Sequence, residues 1–356
     1  MAVRTPSAET KDSTGEALVR HHAYILTGPA MTQRTSVAII SGAGGQDGSY
    51  LAEWLLAHDY HVVALVRHTP AHYERLNHLR GKFDIRQVNL RDSGATEEIL
   101  RRIAADEFYN LAARASSATL FDEPAEMGME NGVMVAQLLE TLRRTSPQTR
   151  FCQAGSSEMF GNTTVSPQDE TTAFRPRNPY GAAKIFAHIA VQTYRQRHHM
   201  FACNAILYNH ESPRRSPEMV TRKVAIAAAR AYRNLPVALT LGDLEARRDW
   251  GYAGDYVRAL WLMLQQPAAD DYVIATGILH SVRELCEVAF EHVDLDYRPF
   301  LRLDPSLTRA PESIPLVGNS DKARALLGWE PEVTFSEMIR NMVDAEVAAI
   351  DRNAGE

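Results

Sequence analysis

Four residues frame the chemistry open to this chain: Ser156 and Glu158 in "CQAGSSEMFG", and Tyr180 and Lys184 in "YGAAK". Tyr180 and Lys184 stand four apart, so a helix puts both side chains on one face. A free tyrosine has a pKa of roughly 10. A neighbouring ammonium favours the phenolate and makes the tyrosine a base for a hydroxyl proton at neutral pH. Ser156 closes an apolar run and can hydrogen-bond the same hydroxyl. Any helix can contain Y-x-x-x-K, so the pair gains meaning only from its company. What Glu158 adds is not given by the spacing.

That company begins with a glycine-rich turn. "SGAGGQDG" places Gly42, Gly45 and Gly48, with Gln46 and Asp47 among them, after the apolar "SVAII" and before "DGSYLAEWLLAH". Glycines there let the backbone turn tightly and approach a pyrophosphate, which sits on the free N–H groups of the following helix. The spacing is G-x-x-G-x-x-G rather than G-x-G-x-x-G. Nineteen residues after Gly48 stands Arg67, where an acid would bind the ribose 2′-hydroxyl of NAD. A guanidinium pairs instead with a 2′-phosphate, so the expected cofactor is NADP. Asn89 and Leu90, closing the third strand, and the small Ala112 and Ala113 after the fourth, border the adenine and ribose in this reading.

Short β-branched runs alternate with helix-like stretches and position these residues. Strands are expected at 36–40, 61–66, 84–90, 107–113, 150–155 and 204–208, with helices between them and three more at 217–234, 281–293 and 335–350. Strand–helix alternation gives parallel βαβ units. The expected fold is α/β: a Rossmann-like doubly wound parallel sheet with a smaller, mostly C-terminal α/β substrate lobe. Residues 36–206 and about 244–278 are assigned to the NADP-binding domain, and about 207–243 and 279–350 to the substrate lobe. Residues 1–35 are polar and irregular and read as a disordered extension.

Composition narrows the function classes. A net charge of −6 argues against a general nucleic-acid binder. Cys152, Cys203 and Cys286 leave an odd count without close spacing, which reads as a reducing, cytoplasmic setting without disulfides or a zinc cluster. The histidines show no metal spacing, and His210 is expected to be a structural hydrogen-bonder. No apolar run approaches the ~18–20 residues that span a membrane.

From about residue 36 to 346 the chain resembles the extended short-chain dehydrogenase/reductase superfamily and, within it, the GDP-mannose 4,6-dehydratase family. The likeness rests on "GQDGSYLAEWLL", "YNLAA", "SSEMFG", "RPRNPYGAAK", "NHESPRR", "VTRK", "RRDWGYAGDYV", "VIATG" and "DKARALLGWEP". It implies a hydro-lyase, a GDP-sugar substrate and a homodimer or homotetramer. The family places a glutamate two positions after a serine or threonine, and Glu158 occupies that place. Epimerisation at C4 needs only the tyrosine, lysine and hydroxyl residue. A 4,6-dehydratase must also take the C5 proton and expel the C6 hydroxyl, which assigns Glu158 its role. The resemblance further implies that Asn209, Lys223 and Arg248 contact the GDP pyrophosphate or sugar, and Arg309 and Glu312 the guanosine end.

Departures concentrate near the sugar. Asn89 replaces an aspartate, "AARASS" puts Arg114 and Ser116 where glutamine and histidine are expected, and Ser156 replaces threonine. A different GDP-hexose or a GDP-heptose is an alternative substrate for such a pocket. An epimerase or reductase on the same scaffold, and a catalytically idle NADP-binding protein, are the alternative functions.

Overall fold

Alternating side chains along the strands meet two different cores. In β1 (Val37–Ser41), Ala38 and Ile40 join one apolar cluster and Ile39 the opposite one. In β2 (His61–Val66), Val62, Ala64 and Val66 part from Val63 and Leu65 in the same way. A strand covered on both faces must be apolar throughout, which is why these segments read as unbroken β-branched runs.

The computed structural model describes residues 35–67, 73–115, 123–307 and 314–354. Of the extension expected at residues 1–35, residues 1–34 lie outside the described residues. The strands continue as β3 (Asp84–Gln87), β4 (Glu107–Asn110), β5 (Arg150–Ala154), β6 (Ala202–Leu207) and β7 (Asn209–Glu211). Then follow β8 (Leu239–Leu241), β9 (Arg247–Tyr252), β10 (Asp271–Ile274), β11 (Leu279–Ser281) and β12 (Leu301–Leu303). The helices are α1 (Gln46–Ala57), α2 (Ser93–Arg102), α3 (Pro124–Gly128), α4 (Met134–Thr145) and α5 (Pro179–His198). After them come α6 (Val220–Tyr232), α7 (Ala253–Gln265), α8 (Val282–Glu291), α9 (Asp321–Leu327) and α10 (Phe335–Ala354). A π turn at Met129–Val133 joins α3 to α4.

Seven strands form one parallel sheet in the order β10-β6-β5-β4-β1-β2-β3. The chain runs outward from β1 to β3, then returns to build β4, β5 and β6 on the other side. Such a reversal opens a crevice at the carboxyl ends of the strands, where ligands of doubly wound sheets bind. Leu51 and Leu55 of α1 pack on one face of the sheet with Leu260 and Leu264 of α7. Leu138 and Leu142 of α4 cover the other with Val191 of α5.

The structure shortens two expected strands. Pairing in the third ends at Gln87, after which Val88 N still reaches Val66 O at 2.8 Å and the chain turns through Asp92 N to Asn89 O. The fourth ends at Asn110 rather than at residue 113. Both tails leave the ladder at the crevice. The seventh strand, β10, is absent from the six read from sequence. It has only four residues and starts with an aspartate, so its apolar signal is short.

A further core gathers Val224 and Ala228 of α6, Leu285 and Phe290 of α8, and Met338 and Met342 of α10 beneath β8 and β9. β11, β9 and β7 form a three-stranded sheet, and β12 pairs with β8. Asp249 on β9 is buried and accepts hydrogen bonds from Thr276 N and Oγ1, Gly277 N and Gly318 N. It therefore clamps the small sheet to the segments that follow β10.

Candidate active site

After β1 the chain turns through Gly42, whose φ of +70° lies in the left-handed region. A Cβ there would meet Ala112 N at 2.7 Å, and one on Gly48 would meet Gly42 O at 2.5 Å, so both positions require glycine. Gly45 precedes α1 without a side-chain cap, leaving the helix's first N–H groups for an anion. Bare backbone, an uncapped helix end and the close approach of Ala112 to the turn make a cradle that fits a dinucleotide pyrophosphate. The ring of Tyr73 lies against Gly44, a contact that sequence reading missed.

Gln46 and Asp47 tie this turn to β7. Gln46 Nε2 donates to His210 O at 3.1 Å and to Asp47 Oδ1 at 3.0 Å, while Ser212 Oγ donates to Gln46 Oε1. His210 faces an acceptor at each ring nitrogen, Tyr208 O at 2.7 Å and Asp47 Oδ2 at 3.0 Å. Two acceptors favour the doubly protonated imidazolium. Burial opposes the charge on either partner, yet their attraction wins: the Asp47 carboxyl is held at about 2 and the histidine is shifted upward.

Arg67 follows β2, and its Nη1 stands 3.2 Å from Glu130 Oε1 in the π turn. Arg91, just past Asn89 and Leu90, bonds Glu126 at 2.9 Å and lies 3.9 Å from Glu130. Two guanidiniums thus converge on one carboxylate at the expected end of the adenosine ribose. Arg91 was missed; its only sequence mark is its place two residues beyond Asn89, whose side chain accepts from Arg91 N.

The catalytic candidates meet where β5 ends and α5 begins. Asn178 caps α5 by accepting from Gly181 N at 2.7 Å, and Pro179 fills the first helical position. Tyr180 and Lys184 in the first turns are 8% and 3% exposed. Lys184 Nζ donates to Ala154 O at 2.7 Å and lies 5.6 Å from the centroid of the Tyr180 ring. Burial pulls its pKa down to about 8, against the opposing charge of Asp47. Burial pushes Tyr180 up to about 12, with the Ser156 hydrogen bond working against it and the Glu158 charge reinforcing it. A cation is therefore needed beside the phenol for it to act as a base.

Glu158 completes the cluster. Its backbone N donates to Ser156 Oγ at 3.2 Å. Its carboxylate accepts from Asn178 Nδ2 at 2.8 Å and has Arg177 Nη2 3.6 Å away. Sequence reading assigned no role to Asn178 or Arg177, although both stand inside the quoted "RPRNPYGAAK". The site thus places a phenol near a lysine amine and, separately held, a carboxylate.

The residues expected at the substrate are less concentrated. Asn209 and Arg248 lie on the paired strands β7 and β9. Lys223 is exposed on α6 and lines a cleft of about 500 Å3 with Pro217, Arg230, Val237 and Leu239. Arg114 is held by its own neighbourhood: its side chain pairs with Glu123, and Asn131 bonds its backbone N and O at 3.0 and 3.1 Å. Ser116, Arg309 and Glu312 lie outside the described residues. Among the described residues no helix is long and apolar enough to cross a membrane.

The family model described as GDP-mannose 4,6 dehydratase matches residues 39–342. GDP-mannose 4,6 dehydratase 2 of Arabidopsis thaliana is 40% identical over 329 residues, covering 89% of this chain and 88% of the relative. The Homo sapiens GDP-mannose 4,6 dehydratase is 37% identical, with 91% and 94% covered. Among solved structures, the Thermus thermophilus UDP-glucose 4-epimerase in complex with NAD superposes with a TM-score of 0.76 at 27% identity, covering 88% of this chain and 99% of that one.

Proposed function

The chain belongs to the GDP-mannose 4,6-dehydratase family, and we propose that it converts a GDP-hexose to the GDP-4-keto-6-deoxyhexose with loss of one water. The observation that carries this reading is the Glu158 carboxylate, gripped by Asn178 and near Arg177 beside the Ser156–Tyr180–Lys184 cluster. Tyr180, kept near the Lys184 cation, takes the proton of the sugar 4-hydroxyl while Ser156 orients it. A ketone at C4 acidifies the C5–H bond; Glu158 takes that proton and passes it to the departing C6 hydroxyl, which leaves as water. A proton then returns to C5. NADP held at the glycine turn of Gly42, Gly45 and Gly48 would supply reversible hydride chemistry between C4 and C6, with no net consumption of the cofactor. Purified protein incubated with GDP-mannose and a panel of other GDP-hexoses and GDP-heptoses tests the proposal. A product lighter by one water supports it and names the donor; unchanged mass with every donor overturns it.

The cradle at Gly42, Gly45 and Gly48 supports a nicotinamide dinucleotide, and the paired Arg67 and Arg91 support NADP over NAD. A charge-assisted contact is worth about 1.5–3 kcal/mol, so Arg67→Ala should weaken NADP binding about 10–100-fold and leave NAD affinity nearly unchanged by calorimetry. An equal loss for both dinucleotides would remove Arg67 from the 2′-phosphate.

For the sugar nucleotide, Asn209 and Arg248 are proposed at the pyrophosphate or sugar with Lys223, while Arg309 and Glu312 remain the guanosine candidates. Phe186 and Ile189, 51% and 55% exposed, project from α5. Their apolar surface is read as the seat of a second copy in a homodimer or homotetramer. Light scattering should show an oligomer that Ile189→Glu breaks; a monomeric wild type would overturn this. Three free, buried cysteines accord with a cytoplasmic protein.

A further inference from the structure

Asn178 touches both halves of the candidate machinery with one side chain. Its Oδ1 accepts from Gly181 N at 2.7 Å and caps the helix that carries Tyr180 and Lys184. Its Nδ2 donates to Glu158 Oε2 at 2.8 Å. The amide has one workable orientation, because turning it over would set N–H against N–H and oxygen against carboxylate. The Glu158 backbone is already fixed by Ser156 Oγ and by the close seat of α5, where a Cβ on Gly181 would fall 2.5 Å from Glu158 O. The glutamate side chain keeps three rotatable bonds beyond that backbone. Arg177 Nη2 faces Oε1 at 3.6 Å, beyond hydrogen-bond length, whereas the contact from Asn178 is short and directional at 2.8 Å.

We infer that Asn178 is a positioning residue for water loss, aiming the Glu158 carboxylate at the substrate in register with Tyr180. The inference rests on the proposed dehydratase reading and adds a residue to it. A capping role alone would be filled equally by serine or aspartate. A positioning role requires the N–H donor, which serine lacks and which aspartate replaces with an oxygen turned against the carboxylate. The two demands can therefore be separated by substitution at one position.

Asn178→Ser and Asn178→Asp are each compared with wild type for thermal midpoint, dinucleotide affinity, KM, single-turnover oxidation at C4, and deuterium entry at C5 from 2H2O. Affinity, KM and C4 oxidation should stay near wild type in both variants, and the thermal midpoint in the serine variant. Misplacing a reacting group by about 1 Å can cost on the order of 100-fold, so C5 exchange and water loss should fall about 10-fold in the serine variant and about 100-fold in the aspartate variant. C5 exchange at the wild-type rate in both variants would reduce Asn178 to a helix cap and overturn the inference. An equal loss of C4 oxidation and C5 exchange would also overturn it, by showing action through the Tyr180 helix. Wild-type protein that dehydrates no GDP-sugar would overturn the dehydratase reading itself, an outcome distinct from wild-type turnover with unaffected variants.

Discussion

Glu158→Gln is expected to abolish water loss while the protein stays folded and its dinucleotide stays bound. Glutamine has the shape of glutamate, and its carbonyl can still accept the Asn178 Nδ2 hydrogen bond that the carboxylate accepts at 2.8 Å. Its backbone donor to Ser156 is unaffected. What it loses is the ability to accept a proton and pass it on. A positioned acid–base group contributes about 10²–10⁴-fold, and dehydration should fall by that factor or more. Product mass together with deuterium entry at C5 reads the loss, while unchanged dinucleotide affinity and an unchanged melting curve show that the fold survived. Wild-type turnover in this variant would sink the assignment of Glu158.

Tyr180→Phe should be as severe for a different reason. The phenol is buried and pushed up to about 12, so it works as a base only where a cation lowers that cost. In the proposed mechanism Lys184 supplies the cation, but burial has drawn its own pKa down to about 8. It is charged below that pH and neutral above it. The wild-type kcat/KM profile should therefore fall on its alkaline side near pH 8, as the ammonium loses its proton and the phenolate its counter-charge. Phenylalanine removes the proton acceptor altogether, and turnover should drop about 10²–10⁴-fold, with no such limb in the residual rate. A phenylalanine variant with the wild-type profile would assign the base elsewhere.

The two variants also separate the proposed steps. Tyr180→Phe stops oxidation at C4, so no C5 exchange follows it; Glu158→Gln leaves C4 oxidation possible and stops exchange. A chain acting only as an epimerase would need the tyrosine and tolerate loss of the glutamate. One working as an idle dinucleotide binder would be indifferent to both.

Much of the fold was legible because its information is local. A glycine turn between a β-branched run and an amphipathic helix is a contiguous pattern, and the helical repeat alone puts Tyr180 and Lys184 on one face. The strands buried on both sides, β1 and β2, were read correctly for the same reason: continuous apolar sequence requires cover on both faces. Legibility failed where apolar signal was short, as in β10. It also failed where apolar residues continue past the end of strand pairing, as after Gln87 and Asn110.

By itself the sequence determined a doubly wound parallel sheet, the glycine cradle and the tyrosine–lysine pair, since each is set by spacing within one or two adjoining elements. Only the tertiary structure decided which groups surround them. Asp47 and His210 meet across 163 residues, Arg67 and Arg91 converge on Glu130, and Asn178 reaches back twenty residues to Glu158. Periodicity places a side chain on a face of its own element, but a hydrogen bond is satisfied only at about 3 Å and near the donor's axis. Which distant residue lies there follows from how the elements pack, and that packing set the direction of the glutamate.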